Sequence, residues 1–424
     1  MSANRKSRTV AHIDRTAASL FAKQATWSFV SRAIGALLQA LMIIILARSI
    51  SKADFGDFGT TFGTLTLLSM FTDFGLTSFA VKSLAVDHDL ELAQRAVHLN
   101  KWMSVVLVAI CAGIALVDMS MFDGHKWPYL IGIGVFLAIE KVTEGELALL
   151  GALQKFEGPA VSIVGRRLFA LGIFLYLSTV LAPLLSYFLA LALVGLPFMF
   201  FARTKTQTDF QGKVNLSGSQ TIQTLRSSFH YGMSSVFQQI RSLDALVVSL
   251  AIGPVAAGAY SAATRLASPT YYVTSAVATA ITPGAKSLGD TGVNSLLTRM
   301  VAWTGICISL LVACSSLLDV VMVKVYGNEY QGAGQTLLWV ASGTLVTALY
   351  SPFSSHIQAM GYARLVSLIN FISGILILCG ICVGCKIGGE AGAALGFALA
   401  ASAGLIAFIV VAKLQVERRA SHAN

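Results

Sequence analysis

The chain carries twelve apolar stretches of membrane-spanning length, separated mostly by short polar loops. A helix needs roughly 20 mostly apolar residues to cross the hydrocarbon core of a bilayer. Only 12% of the 424 residues are charged, against about a quarter in an average soluble domain. The pattern predicts an all-α integral membrane protein with about 12 transmembrane helices. The predicted spans are 26–47, 58–81, 99–118, 128–150, 160–180, 183–202, 229–251, 257–282, 297–322, 335–356, 364–385 and 389–412.

Lys and Arg residues concentrate on one side of this pattern, as they do on the cytoplasmic side of membrane proteins. With a cytoplasmic N-terminus, we assign 21 of the 30 cations to the inner side, five, among them Arg48 and Lys52, to outer loops, and four to span interiors. Cations in the inner part of a span, such as Arg166 and Arg167 in 160–180, are counted with the inner side. We therefore expect both termini in the cytoplasm. The polar, basic first 22 residues predict no cleaved signal peptide. Because topology accounts for the net charge of +10, no nucleic-acid partner is expected.

Motifs for catalysis or metal binding are missing from the sequence. There is no P-loop, Gly-x-Ser-x-Gly or His-Glu-x-x-His motif. Cys379, Cys382 and Cys385 are evenly spaced, but they lie in an apolar span without a fourth ligand, which favours a packing role. We expect no cofactor, no metal and no enzymatic activity. The enzyme alternative, a membrane glycosyltransferase or polymerase, usually has a soluble loop longer than any in this chain.

A polar linker divides the spans into two sets of six. The first outer turn of each set is predicted to carry a Gly-x-aromatic motif, Gly56 to Phe58 and Gly258 to Tyr260. This recurrence predicts two six-helix lobes related by a parallel pseudo-twofold repeat. The predicted segments are a cytoplasmic N-terminal segment 1–25, an N-lobe 26–202, a cytoplasmic linker 203–228, a C-lobe 229–412 and a cytoplasmic tail 413–424.

Short motifs in both lobes suggest a family. In the first lobe they are the run from Leu46 to Phe58, then Phe74, Gly75, Leu76 and Ala80. In the second they are Asp244, Gly258, Ala259, Tyr260, Ala263, Arg265, Leu266, Pro283 and the run from Val325 to Tyr330. Together they resemble the polysaccharide-export branch of the multidrug/oligosaccharidyl-lipid/polysaccharide exporter superfamily, over nearly the whole chain.

The resemblance implies a flippase of the bacterial inner membrane with its two lobes facing each other in a V. Such a protein moves a polyprenyl-diphosphate-linked oligosaccharide across the membrane by alternating access, for O-antigen, capsule or exopolysaccharide synthesis. The implied partners are the lipid-linked oligosaccharide and membrane lipids, together with polysaccharide polymerase and chain-length proteins. The resemblance does not select the glycan.

Three alternatives stay open. A drug or metabolite antiporter of the same superfamily commonly has an acidic residue in span one, where this chain has Arg32 and no acid. A peptidoglycan-precursor flippase tends to have two further spans. A membrane scaffold for polysaccharide assembly would leave the charges within spans unexplained.

Four cations in spans are candidates for a substrate-binding cavity: Arg32, Lys141, Arg241 and Arg265. A charge at the bilayer centre costs about 2.5–3.5 kcal/mol, so each needs a partner or a watery cavity. Arginine suits a diphosphate because its planar fork donates two hydrogen bonds at once. Each could instead snorkel or form a local ion pair, as Arg241 could with Asp244 three residues later.

Four acids are candidates for coupling or for ion pairs: Asp73, Glu140, Glu144 and Asp244. Glu140 and Glu144 lie one turn apart in span four, and Lys141 can reach Glu144. These groups either support proton coupling or form an ion-pair ladder inside the lobe. Asp73 either ends a helix or takes part in transport.

The last span carries a small residue at every fourth position. Such a strip lets another helix approach closely and favours a packing role over a binding role. Its residues are Gly388, Gly392, Gly396, Ala400 and Gly404.

Overall fold

The computed structural model describes residues 30–85, 88–121, 127–153, 155, 157–209, 218–269, 295, 297–359 and 362–423. Every regular element in these ranges is helical. The helices are α1 Val30–Ser49, α2 Lys52–Asp73, α3 Leu76–Ala85, α4 Leu90–Met121, α5 Trp127–Ala152, α6 Glu157–Leu177, α7 Pro183–Asp209, α8 Gly218–Gln239, the 3₁₀ turn Ile240–Leu243, α9 Asp244–Ile252, α10 Pro254–Ala267, α11 Leu297–Ala313, α12 Ser315–Tyr326, the 3₁₀ turn Asn328–Tyr330, α13 Gly334–Ala348, α14 Tyr350–Ala359 and α15 Ala363–Ala423.

The predicted all-α membrane fold is confirmed, and the number of spans stays a prediction. Within the described ranges, six helices are long and apolar enough to cross a membrane. Counting the bent pairs α2 with α3 and α11 with α12 as single spans raises the number to eight. The predicted segment 1–25, the part of span 257–282 beyond residue 269, and Pro283 lie outside the described residues.

The predicted linker 203–228 is partly helical. Helix α7 continues to Asp209, and α8 begins at Gly218. Residues 203–209 are polar but contain neither Gly nor Pro, so nothing in them ends the helix where the apolar run ends. The helices on the N-terminal side of this linker, α1–α7, are called the N-half below, and α8–α15 the C-half.

Helix α2 has a clear signal at each end. At its start, the hydroxyl of Ser51 accepts a hydrogen bond from the backbone N–H of Asp54 at 3.1 Å, which caps the helix. At its end, Phe74 and Gly75 have positive φ angles of 48° and 71°. This left-handed pair ends α2 and turns the chain by 46° into α3.

Three glycines of α2, here called the glycine seam, lie directly against the C-half: Gly56, Gly59 and Gly63. A Cβ atom on Gly56 would lie 1.9 Å from the carbonyl oxygen of Pro254, and one on Gly63 would lie 2.1 Å from that of Ser242. A Cβ on Gly59 would lie 2.3 Å from a side-chain oxygen of the same half. Any larger residue in the seam would push the two halves apart.

The glycines of the repeated Gly-x-aromatic motif meet each other in this contact. Gly56 packs on the Pro254 carbonyl, and Gly258 packs on the Lys52 carbonyl, where an added Cβ would lie 2.1 Å away. A repeat about a twofold axis would produce such a reciprocal contact, and the repeat stays a prediction. The prediction that Gly56 and Gly258 lie in turns is wrong. Ser51 caps α2 and Pro254 is the first residue of α10, so each helix begins four residues before its glycine.

Cations that were predicted to lie in outer loops join the two halves at the end where α2 begins. Arg48 donates to the backbone carbonyl of Val325 at 2.6 Å and also to that of Lys324. The ammonium of Lys52 lies 3.9 Å from the carboxylate of Glu390.

The opposite end of α2 also touches the C-half. The Phe74 ring packs against the Phe229 ring with centroids 6.4 Å apart, and Gly232 lies against the Phe74 backbone. The halves are therefore in contact at both ends of α2.

The glycine strip of the last predicted span is confirmed as a packing surface from Gly392 onwards, whereas a Cβ on Gly388 would meet no atom within 4 Å. Helix α15 breaks at Gly389, whose φ of 59° favours glycine. The two arms then pack backbone to backbone, Gly392 against Gly384 and Gly396 against Gly380.

The substitution Gly392→Ala is expected to destabilise the protein, because the added Cβ would lie 2.3 Å from the Gly384 carbonyl oxygen. Overpacking of this kind typically costs about 1–3 kcal/mol. The control is Gly113→Ala in α4, where a Cβ meets no atom within 4 Å and helix propensity favours alanine by about 1 kcal/mol. Thermal unfolding in detergent should show a lower midpoint for Gly392→Ala only. Equal midpoints would contradict close packing of the two arms.

Candidate functional site

A cavity of about 230 Å³ lies between the two halves, beside the middle of α2. Three of the eight candidate residues line it: Arg241, Asp244 and Arg265. Nine of the other lining residues in the described ranges are small or carry a hydroxyl group: Gly59, Gly63, Thr66, Ser242, Ala245, Ser261, Thr264, Ser268 and Thr344. The remaining three are Phe62, Gln239 and Phe397.

The 3₁₀ turn Ile240–Leu243 forms one wall of this cavity. It interrupts the helical path from α8 to α9 and carries Arg241 and Ser242. The Ser242 hydroxyl donates to the backbone carbonyl of Gly63 at 3.0 Å. The seam thus holds the turn, and with it Arg241, next to α2.

Arg241 is anchored by its own half of the molecule. Its guanidinium donates to the hydroxyl of Thr347 in α13 at 2.9 Å. Its Cζ atom lies 5.8 Å from the centre of the Phe397 ring in α15. These contacts keep its position fixed within the C-half.

Arg265 reaches across to the other half. Its Cζ atom lies 4.6 Å from the centre of the Phe62 ring in α2, which is close enough for a cation–π interaction. In the described part of the chain, this guanidinium has no hydrogen bond or ion pair. It is therefore a cation held by an aromatic ring, with its donors available to an anion.

Among the described residues that line the cavity, Asp244 supplies the one carboxylate. It accepts a hydrogen bond from the backbone N–H of Ala245 at 2.6 Å, and the charges of Arg241 and Arg265 both act on it. Two guanidinium groups and one carboxylate leave the cavity with one net positive charge. Such a site suits an anionic ligand better than a cationic one.

Arg32 lies apart from this cavity. It is at an exposed position in the first turn of α1, among the described residues. The structure brings it together with none of the other seven candidates.

A second charged group lies inside the N-half, between α5 and α6. The Glu140 carboxylate binds Arg166 through one oxygen and Arg167 through the other, each at 2.6 Å. The sequence counted Arg166 and Arg167 with the cytoplasmic side, although predicted span 160–180 contains both. In the structure α6 begins at Glu157 and both lie well inside it. Counting cations by segment could not reveal that a carboxylate on another helix neutralises them.

Glu144 and Lys141 do not form the predicted ladder with Glu140. Glu144 is exposed, although the charges of Glu140, Lys141 and both arginines act on it. The Lys141 ammonium lies 3.5 Å from the Met70 sulfur in α2. The partners of Glu140 come instead from α6, which spacing along one helix could not show.

Asp73 is the last residue of α2 and is buried. Its carboxylate accepts a hydrogen bond from the Thr77 hydroxyl at 3.0 Å, across the bend into α3. The structure places it at a helix end, away from the cavity.

Two phenylalanines connect the two charged groups, and sequence reasoning missed both. The rings of Phe62 and Phe136 stack with centroids 6.4 Å apart. Arg265 lies over the first ring, and Arg167 lies over the second at 5.6 Å. No sequence signal distinguishes Phe62 from the other 23 phenylalanines.

No cluster of three or more His, Cys, Asp or Glu side chains able to hold a metal ion occurs in the described ranges.

The substitution Glu140→Gln is expected to destabilise the protein, because it leaves two inward-facing guanidinium groups without their carboxylate. The Arg166 side chain is only 7% exposed, and breaking such a buried pair costs about 3–5 kcal/mol. The control is Glu157→Gln, which removes the charge of an exposed glutamate in the first turn of α6. That change should cost about 1 kcal/mol or less. Thermal unfolding of both variants tests this, and equal losses would show that the Glu140 cluster is not buried in the membrane-embedded protein.

The sequence is similar to proteins of polysaccharide and glycan biosynthesis. A family model described as "Polysaccharide biosynthesis protein" matches residues 21–288. A Haloferax volcanii protein described as a probable low-salt glycan biosynthesis flippase, Agl15, is 23% identical over 366 residues, which cover 82% of this chain and 74% of that protein.

Two solved structures share the fold. The lipid II flippase MurJ in an inward closed conformation gives a TM-score of 0.70 at 15% identity, over 92% of this chain and 87% of that one. An inward-facing multidrug resistance MATE family transporter gives 0.63 at 13% identity, over 92% of this chain and 98% of that one. These relatives are flippases and transporters, not enzymes.

Proposed function

The chain belongs to the polysaccharide biosynthesis protein family, and from that premise we propose that it moves a polyprenyl-diphosphate-linked oligosaccharide across a bacterial inner membrane. Its role as a multi-pass membrane flippase or exporter follows from its relatives. The substrate, the membrane and the use of the glycan in O-antigen, capsule or exopolysaccharide synthesis are our proposal. Polysaccharide polymerase and chain-length proteins are its proposed partners.

The cationic cavity between the halves is the observation that carries this proposal. Its described lining contains Arg241 and Arg265 against the single carboxylate of Asp244. Guanidinium groups bind phosphate oxygens through paired, charge-assisted hydrogen bonds. The hydroxyl-bearing side chains around them suit the polar edges of a sugar.

The size of the cavity supports alternating access. Ligand sites are typically about 300–1,000 Å³, whereas this cavity measures about 230 Å³. The halves must therefore separate along the glycine seam before a lipid-linked oligosaccharide can enter. Contacts at both ends of α2 identify the present arrangement as a closed one.

The membrane potential can supply the driving force. A potential negative inside favours outward movement of an anionic head group by about 2.3 kcal/mol per charge per 100 mV. Net directional flipping in proteoliposomes is then expected to stop when the potential is collapsed and to continue when only the proton gradient is removed. Loss of flipping on removal of the proton gradient alone would instead indicate proton coupling, for which the exposed Glu144 is the first candidate.

A cation-coupled multidrug or metabolite antiporter is the second candidate, favoured by the shared fold with the MATE transporter. The net positive cavity and the absence of an acid in predicted span one argue against it. A non-transporting membrane component of an assembly complex, the third candidate, would have no use for a cationic cavity between the halves.

Replacing either cavity arginine should impair flipping of a fluorescent polyprenyl-diphosphate oligosaccharide in proteoliposomes. Hydrogen bonds to charged groups contribute about 1.5–3 kcal/mol, so Arg241→Ala and Arg265→Ala should each lose about tenfold or more in rate. Arg32→Ala tests the candidate outside the cavity and should have a smaller effect.

The matched control is Arg203→Ala, at an exposed position near the end of α7, which should retain full activity. Full activity of both cavity variants would contradict the proposed site. Export of a cationic dye without flipping of any lipid-linked glycan would assign the protein to the antiporters.

A further inference from the structure

The two arginines of the cavity differ in which half of the protein holds them. Arg241 is bound by Thr347 and Phe397, both in the same half as itself. Arg265 belongs to the C-half but lies over Phe62 of the N-half. The contact between Arg265 and Phe62 must break when the halves separate.

The Phe62 ring is firmly positioned by the N-half. Phe58 packs on one part of it at 5.9 Å, and Phe136 stacks on it at 6.4 Å. Phe136 is in turn covered by Arg167, which Glu140 fixes in place. Phe62 is therefore a rigid platform that stays with the N-half.

A phosphate would compete directly with this platform for Arg265. A cation–π contact contributes about 0.5–2 kcal/mol, whereas charge-assisted hydrogen bonds to phosphate are stronger and can be paired. Because the guanidinium of Arg265 has no hydrogen bond within the described residues, it can exchange the ring for an anion without breaking another polar contact.

We propose that Phe62 is a positioning residue that holds Arg265 while the cavity is empty, and that a diphosphate head group displaces Arg265 from the ring and so releases a contact between the halves. This inference rests on the proposed function, since it requires a diphosphate ligand. Substrate binding thereby weakens the contact between the halves, because the Arg265 guanidinium cannot lie over the Phe62 ring and bind the anion at the same time.

Replacing Phe62 is expected to increase the affinity for diphosphate. Removing the ring removes a competitor for Arg265, so Phe62→Leu should bind a diphosphate more tightly. The cation–π range corresponds to a gain of roughly two- to thirtyfold. If Phe62 merely supported the shape of the site, the same substitution would weaken binding.

The first measurement is titration of inorganic diphosphate into the purified full-length protein in detergent, for wild type, Phe62→Leu and Phe62→Tyr. Phe62→Tyr keeps the aromatic face and should restore the wild-type affinity. The control is Phe201→Leu, which removes the ring beneath Lys205, a cation–π pair within a single half. It should not change diphosphate binding.

The second measurement is the distance between the halves without ligand. Spin-labelled non-canonical amino acids are placed at two exposed positions, Leu90 in the N-half and Ile222 in the C-half. Phe62→Leu should broaden the distance distribution towards longer values, as diphosphate does in wild type, and Phe201→Leu should not. If Phe62→Leu does not yield folded protein, Phe62→Met replaces it.

The outcomes separate the two proposals. Tighter binding and wider distances in Phe62→Leu, with both restored in Phe62→Tyr, support the inference. Unchanged or weaker binding in Phe62→Leu, while wild type binds diphosphate, overturns the inference and leaves the proposed function standing. No binding of diphosphate to wild type overturns both.

Discussion

The close approach of α2 to the C-half is the contact on which the rest of the structure depends. It exists because Gly56, Gly59 and Gly63 present no side chain at the crossing, so backbone meets backbone. Close packing of this kind is how membrane helices associate without a hydrophobic driving force. The cavity lies beside the same stretch of helix, so the surface that joins the halves also bounds the candidate site.

Charged side chains within the apolar helices occur in two different arrangements. In the N-half, Glu140 is bound by two guanidinium groups at 2.6 Å, and the cluster largely satisfies itself. In the cavity, Arg241 and Arg265 lie on aromatic rings, and no carboxylate binds Arg265 within the described residues. The first arrangement contributes to stability. The second leaves the Arg265 guanidinium available to a ligand, which is why the site is placed there.

Polar contacts at one end of α2 and aromatic contacts at the other hold the halves together around a small cavity. A flippase has to break such contacts in turn on the two sides of the membrane. Individually weak contacts suit this requirement, since cation–π pairs and partly exposed ion pairs contribute about 1 kcal/mol each. The aromatic stack from Arg265 through Phe62 and Phe136 to Arg167 joins the cavity to the interior of the N-half.

The sequence by itself determined the all-α membrane class, because apolar runs of spanning length have few alternatives in a bilayer. It also determined the candidates Arg241, Asp244 and Arg265, since a charge in an apolar span is costly enough to need a reason, and the packing role of the glycine strip in α15. Only the tertiary structure decided which charges meet. Arg166 and Arg167 pair with Glu140 on another helix, and Phe62 meets an arginine about 200 residues away. Hydropathy and helical spacing are local, whereas these contacts depend on how separate helices pack.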